Sequence, residues 1–173
     1  MSKIFRKPYS VKLPKSAHEV EEFGGGKKGV ILCPDCDSLY FKKSWHHDFK
    51  ELKTENVNLP VNFKLCPACQ MIKNKQYEGR VILKNVPKKY SDELEHFIVG
   101  FCGRATDRDP MDRLIEIKKS GAEWAVTTTE NQLANKLAKK IKDVFNKLNL
   151  KTKFSQEPSD VVEIAVEFPK SKI

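Results

Sequence analysis

The clearest pattern of apolar and polar positions lies in the second half of the chain. Val81, Ile82, Leu83 and Val86 form an apolar run stopped by Pro87, which predicts a strand over 80–86. Ser91 is placed to cap a helix, with Asp92 and Glu93 in its first turn. Leu94, Phe97, Ile98 and Phe101 then recur at i, i+3, i+4 and i+7, and Gly103 is the expected stop. Leu114–Lys118 and Trp124–Thr128 read as two strands around a Ser120-Gly121 turn. Thr129-Glu130-Asn131-Gln132 matches a capping box. Beyond it, Leu133, Leu137, Ile141, Val144, Phe145 and Leu148 line one helical face, with Lys136, Lys139, Lys140, Lys142 and Lys147 on much of the rest. Val162, Ile164, Val166 and Phe168 alternate with Glu163, Ala165 and Glu167 in a closing strand. The order β-α-β-β-α-β predicts an α+β, ferredoxin-like unit over 79–173, with two helices on one face of a four-stranded antiparallel sheet.

The first half is organised differently. Residues 1–28 carry Lys3, Arg6, Lys7, Lys12 and Lys15 around Pro8 and Pro14, and end in Gly24-Gly25-Gly26-Lys27-Lys28. This composition predicts a basic, flexible extension with too little apolar surface to fold alone. Residues 29–78 hold two short apolar runs, Val30-Ile31-Leu32 and Phe63-Lys64-Leu65, each leading into a cysteine pair. Between them, Asp48–Asn62 is polar, contains Pro60 and reads as an insertion loop.

The cysteines change the picture. Cys33-Pro34-Asp35-Cys36 and Cys66-Pro67-Ala68-Cys69 share one Cys-Pro-x-Cys pattern. Four thiolates arriving in two pairs suit one tetrahedral Zn²⁺, so residues 29–78 read as a zinc ribbon with both pairs on hairpin turns. A complete sulfur shell leaves no position open to water or substrate, which makes the metal structural and the protein a binding protein rather than an enzyme. A redox pair or an iron–sulfur centre is the alternative use of such spacing. The fifth cysteine, Cys102, has no pair and is expected to pack as a small apolar residue. His46 and His47 are expected outside the metal shell.

Charge then narrows the partner class. The net charge is +9, and four thiolates around one Zn²⁺ lower it by two units. Strongly basic proteins meet nucleic acids or acidic surfaces. The run Leu39-Tyr40-Phe41-Lys42-Lys43-Ser44-Trp45-His46-His47 interleaves aromatics with lysines, a pattern that suits either base stacking or a small core around a metal. The expected RNA contacts are Lys3, Arg6, Lys7, Lys12, Lys15, Lys27, Lys28, Lys42, Lys43, Trp45 and Arg80. Strands 81–86 and 124–128 lack the paired aromatics with which RNA-recognition sheets stack bases, so the sheet face is not expected to bind RNA. No apolar run has the length of a membrane span, and Met1–Lys7 lacks the apolar stretch of a signal peptide. With cysteines in metal-ligand spacing, this predicts a cytoplasmic protein. The charged loop from Cys102-Gly103-Arg104 to Asp107-Arg108-Asp109 is expected to be merely solvated.

The two cysteine pairs with Trp45 between them, the run Tyr77-Glu78-Gly79-Arg80-Val81 and the run Thr127-Thr128-Thr129-Glu130-Asn131-Gln132-Leu133-Ala134 together resemble the small prokaryotic relatives of the large-ribosomal-subunit export adaptor. The resemblance covers roughly residues 28–150. It implies zinc held by Cys33, Cys36, Cys66 and Cys69, and association with the large ribosomal subunit, its RNA or its proteins. The chain is far shorter than the eukaryotic adaptor, has only two cysteine pairs and lacks an extended export tail, so nuclear export is not implied. A protein–protein adaptor whose ribbon docks an acidic partner is the rival expectation.

Overall fold

The computed structural model describes residues 29–47, 60–145, 148–154 and 161–169. The extension with Lys3, Arg6, Lys7, Lys12, Lys15, Lys27 and Lys28 lies outside the described residues, as do most of the expected insertion loop and Lys147.

Two sheets form. The small one comprises β1 (Val30–Leu32), β2 (Leu39–Phe41), β3 (Ser44–His46) and β4 (Val61–Phe63), in the order β3-β2-β1-β4. β1 and β2 are antiparallel and enclose the first cysteine pair, whereas β1 and β4 are parallel. β2 and β3 are joined by Lys42 and Lys43 alone, at φ 49° and 67°. Two positive φ values are what a two-residue hairpin needs to match strand twist, and Asn-Gly is the usual choice there.

The second cysteine pair departs from expectation. It does not sit on a hairpin turn but opens helix α1 (Pro67–Asn74). Pro67 occupies the first turn, where its missing N–H would be unsatisfied anyway, and Cys66 is the N-cap, its sulfur accepting from the Cys69 N–H. Lys75 ends the helix in the left-handed conformation.

The large sheet comprises β5 (Gly79–Lys84), β6 (Leu114–Ser120), β7 (Glu123–Thr128), β8 (Asn149–Phe154) and β9 (Val162–Glu167), in the order β6-β7-β5-β9-β8. Helix α2 (Ser91–Thr106) follows β5 and helix α3 (Asn131–Val144) follows β7. Both pack on one face. Val81, Leu83, Trp124, Val126, Ile164 and Val166 from the strands meet Leu94, Ile98, Cys102, Leu133, Leu137 and Ile141 from the helices in one buried cluster. Cys102 therefore packs as an apolar residue, and burial first, with the Asp112 charge second, pushes its thiol up to about 12.

The expected four-stranded antiparallel sheet is not what forms. β8 pairs with β9 at the sheet edge, and its insertion after α3 makes β9 run parallel to β5. The result is a mixed α+β fold with two sheets and three α-helices among the described residues. Local stops also move. Gly103 lies inside α2, which runs on to Thr106, and Ser91 follows the N-cap Tyr90 rather than being the cap. Val144, expected on the apolar face of α3, is half exposed.

Candidate metal centre

Cys33 leaves the end of β1, and its carbonyl accepts from the Asp37 N–H while its N–H donates to the Ser38 carbonyl. This tight turn brings Cys36 back beside Cys33. The start of α1 brings Cys66 and Cys69 to the same point, because residues three apart share a helix face. All four sulfurs lie within 4.8 Å of one another, with Cys36 and Cys66 3.6 Å apart. A Zn–S distance of about 2.3 Å puts tetrahedral sulfurs about 3.8 Å apart, so a single ion fits this spacing.

The donor set around the sulfurs suits negative charge. The Cys66 N–H donates to Cys33 Sγ and the Cys69 N–H to Cys66 Sγ, each at 3.3 Å. Ser38 is buried, with its hydroxyl 3.2 Å from Cys36 Sγ, ready to donate to a thiolate. Arg113 Nη1 lies 3.6 Å from Cys69 Sγ. Burial opposes ionisation of Cys36, but the Ser38 hydroxyl and N–H, Cys33 and Arg113 outweigh it and lower its thiol to about 6. Cys66 moves the other way, to about 11, chiefly by burial. Cys69 is also raised, by burial and then by its sulfur neighbours. A divalent cation would supply the charge that holds all four sulfurs as thiolates.

Trp45 half-covers this cluster and tilts against Tyr40 at a centroid distance of 5.3 Å. The half-buried ring packs over the sulfurs. Leu65 and Met111 complete the apolar wall. His46 hydrogen-bonds the Phe41 carbonyl and His47 the Thr106 carbonyl, and neither belongs to the metal-ligand cluster.

The expected RNA contacts scatter. Lys42 and Lys43 sit exposed at the β2–β3 tip, with Lys42 Nζ 5.3 Å from the Phe41 ring centroid. Arg80 lies far along the chain, on the helix-free face of the large sheet, where it pairs with Glu163 at 3.4 Å. Its guanidinium is engaged within the sheet rather than grouped with the lysine tip. Trp124 is buried against the helices, with Lys119 Nζ 4.4 Å from its centroid.

Arg113 was not anticipated. It stands alone between a charged loop and β6, with no periodic or motif signal to mark it. The Thr127-Thr128-Thr129 run also has another role than capping. Glu130 is the N-cap of α3, without a side-chain bond, while Thr129 is buried and its hydroxyl donates to the Met111 carbonyl. Among the described residues no helix is long and apolar enough to cross a membrane. No family model matches the chain, and a search of curated proteins finds no match.

Proposed function

We propose that this chain is a non-catalytic, cytoplasmic zinc protein that docks on RNA, with the large ribosomal subunit as the partner its motif resemblance implies. The observation that carries the zinc reading is the convergence of four sulfurs from two chain-distant pairs. A tetrathiolate suits zinc or iron, and an all-sulfur shell leaves no coordination position for substrate. Sulfurs this close fit one ion better than a cluster of several irons with bridging sulfides. The second pair does open a helix after a strand, as a redox pair would, but its sulfurs face the first pair rather than solvent.

The RNA reading rests on the net charge of +9 and on the exposed lysine tip. Non-glycine residues at positive φ are disfavoured by about 1–2 kcal/mol each, so two lysines there keep charge at a hairpin end at the expense of stability. Phosphate contacts release counterions, and affinity then falls steeply with salt. The test is fluorescence anisotropy of labelled ribosomal RNA with the full chain across a salt series, paired with sucrose-gradient sedimentation of lysate with and without chelator. Affinity independent of salt, or absence from large-subunit fractions in both gradients, overturns the reading.

One observation favours a protein adaptor instead. Val61 and Phe63 are 48% and 69% exposed on β4, an edge strand of the small sheet. An apolar edge strand is a surface to which another chain can add. A pull-down that survives nuclease treatment decides for this alternative.

A further inference from the structure

The segment after α2, which reads as a solvated charged loop, folds back onto the cysteine cluster. Asp109 holds it with a side-chain bond to the Met111 N–H at 2.9 Å. Thr129, at the end of β7, grips it from the other side. Arg113 N–H donates to Thr129 Oγ1 at 2.8 Å, and Thr129 N–H donates to the Arg113 carbonyl at 3.0 Å. Arg113 Nε donates to the Pro110 carbonyl at 2.7 Å, which fixes the guanidinium plane. The remaining end of the fork therefore points one way, and Nη1 meets Cys69 Sγ. Met111 packs against the buried cluster of Cys33, Cys66, Ala68 and Cys69. Nearby, the His47 ring and the Thr106 carbonyl form a second tie between the small sheet and the end of α2.

These contacts join parts of the chain with separate cores. The apolar cluster of the large sheet and that of the cysteines share no buried residue. What joins them at the sulfurs is a half-buried cation, with Arg113 Nη1 3.6 Å from Cys69 Sγ. Four thiolates around a divalent ion carry a net charge of −2 that needs compensation in a water-poor site. Lys73 is also close enough to sense the sulfurs, but it is exposed and paired with Asp35 at 2.8 Å.

We infer that Arg113 is an outer-sphere cation of the tetracysteine site, so that metal loading locks the small sheet onto the Pro110–Arg113 segment of the α/β unit. Metal occupancy then sets more than the folding of the cysteine turns. It fixes how the small sheet, with its lysine tip and its apolar edge, is presented relative to the large sheet. Loss of metal removes the common centre that holds the four sulfurs together, so the Arg113 fork loses its fixed partner and the seam loosens while the large-sheet core persists.

This inference rests on the metal reading above, and the test separates the two. Metal content of the full chain is measured first by elemental analysis; protein without bound metal overturns the metal reading and this inference with it. With metal present, hydrogen exchange is compared between zinc-loaded and chelator-treated protein. Amides of Met111, Arg113 and Thr129 exchange faster after zinc removal, while those of β5 and β9 stay protected. Equal exchange at the seam in both states overturns the inference and leaves the metal reading intact. Arg113→Gln weakens zinc on the order of 10–100-fold, the usual effect of losing an outer-sphere partner, and Arg113→Lys recovers part of it. In cadmium-substituted protein both changes shift the ¹¹³Cd resonance, whereas Lys139→Gln on the exposed face of α3 does not. A folded Arg113→Gln protein with wild-type zinc affinity and an unmoved resonance contradicts the inference. If that variant does not fold, the exchange comparison on the unaltered chain decides.

Discussion

Thr129 and Arg113 hold each other by a reciprocal pair of backbone-anchored hydrogen bonds, Arg113 N–H to Thr129 Oγ1 at 2.8 Å and Thr129 N–H to the Arg113 carbonyl at 3.0 Å. The Thr129 side chain is therefore a clasp on the segment that faces the sulfurs. Thr129→Val keeps the shape and removes the hydroxyl, leaving the Arg113 N–H without its acceptor. The expected loss is about 1–3 kcal/mol in urea unfolding. Thr129→Ser restores most of it. Equal stability of the valine variant contradicts the clasp.

Gly79 lies where β5 passes under the start of α3. A Cβ there would sit 2.5 Å from the Ala134 Cβ and 2.9 Å from the Glu130 carbonyl oxygen, and would also clash with Thr128 Oγ1. Backbone and β7 cannot both give way, so Gly79→Ala forces α3 off the sheet. Overpacking of this kind costs about 1–3 kcal/mol or more. Thermal unfolding of the alanine variant checks it, and a melting temperature equal to the parent's refutes it.

The folded large sheet was largely legible because its core follows simple periods. Val81 and Leu83, Trp124 and Val126, and Ile164 and Val166 alternate as half-buried strands must. Leu94 and Ile98, and Leu133, Leu137 and Ile141, keep helical spacing. β8 was hidden because Asn149-Leu150-Lys151-Thr152-Lys153-Phe154 is lysine-rich, as an edge strand can be, and only a short run separates it from α3. The parallel pairing of β5 and β9 follows from β8 and leaves no local mark. The four cysteines were legible as a set, because Cys-Pro-x-Cys is rare and repeated. Their local setting was not. The same four-residue pattern forms a turn after β1 and a helix start at α1, and the residues beyond each pair decide between the two: Asp37-Ser38 turns the chain back, whereas Gln70-Met71-Ile72-Lys73 continues a helix. Lys42-Lys43 carried no turn signal, since lysine is a poor residue for positive φ.

Those two lysines give a prediction in which stability and binding move oppositely. Glycine adopts positive φ without the Cβ penalty. Lys42→Gly with Lys43→Gly is expected to stabilise the hairpin by about 1 kcal/mol or more. The same variant loses two cations, so its RNA affinity falls and the slope of log affinity against log salt becomes shallower by up to about two units. Anisotropy titrations and chelator-challenged unfolding read the two effects. Unchanged RNA affinity removes the tip from the binding surface.

Glu130 supplies a pH prediction. Burial first, then the charges of Glu78, Asp112 and Asp109, raise its carboxyl above the ordinary value. The ionised form is thus disfavoured in the folded chain. Its contribution is harmless below the unfolded pKa, turns destabilising as pH rises through the folded pKa, and stays so above it. Glu130→Gln is therefore expected to melt higher than the parent at neutral pH, with the gain disappearing on acidification through the carboxylate range. A gain that is constant with pH, or that grows on acidification, contradicts the sign.

Elemental analysis of the freshly purified full chain beside its Cys66→Ser variant tests the central claim most directly. One zinc per chain is expected in the parent and its loss in the variant, with the small-sheet amides losing exchange protection, since structural zinc supplies about 10–16 kcal/mol of apparent folding free energy in small modules. A parent protein that carries no metal, with a small sheet as protected in the variant as in the parent, contradicts it.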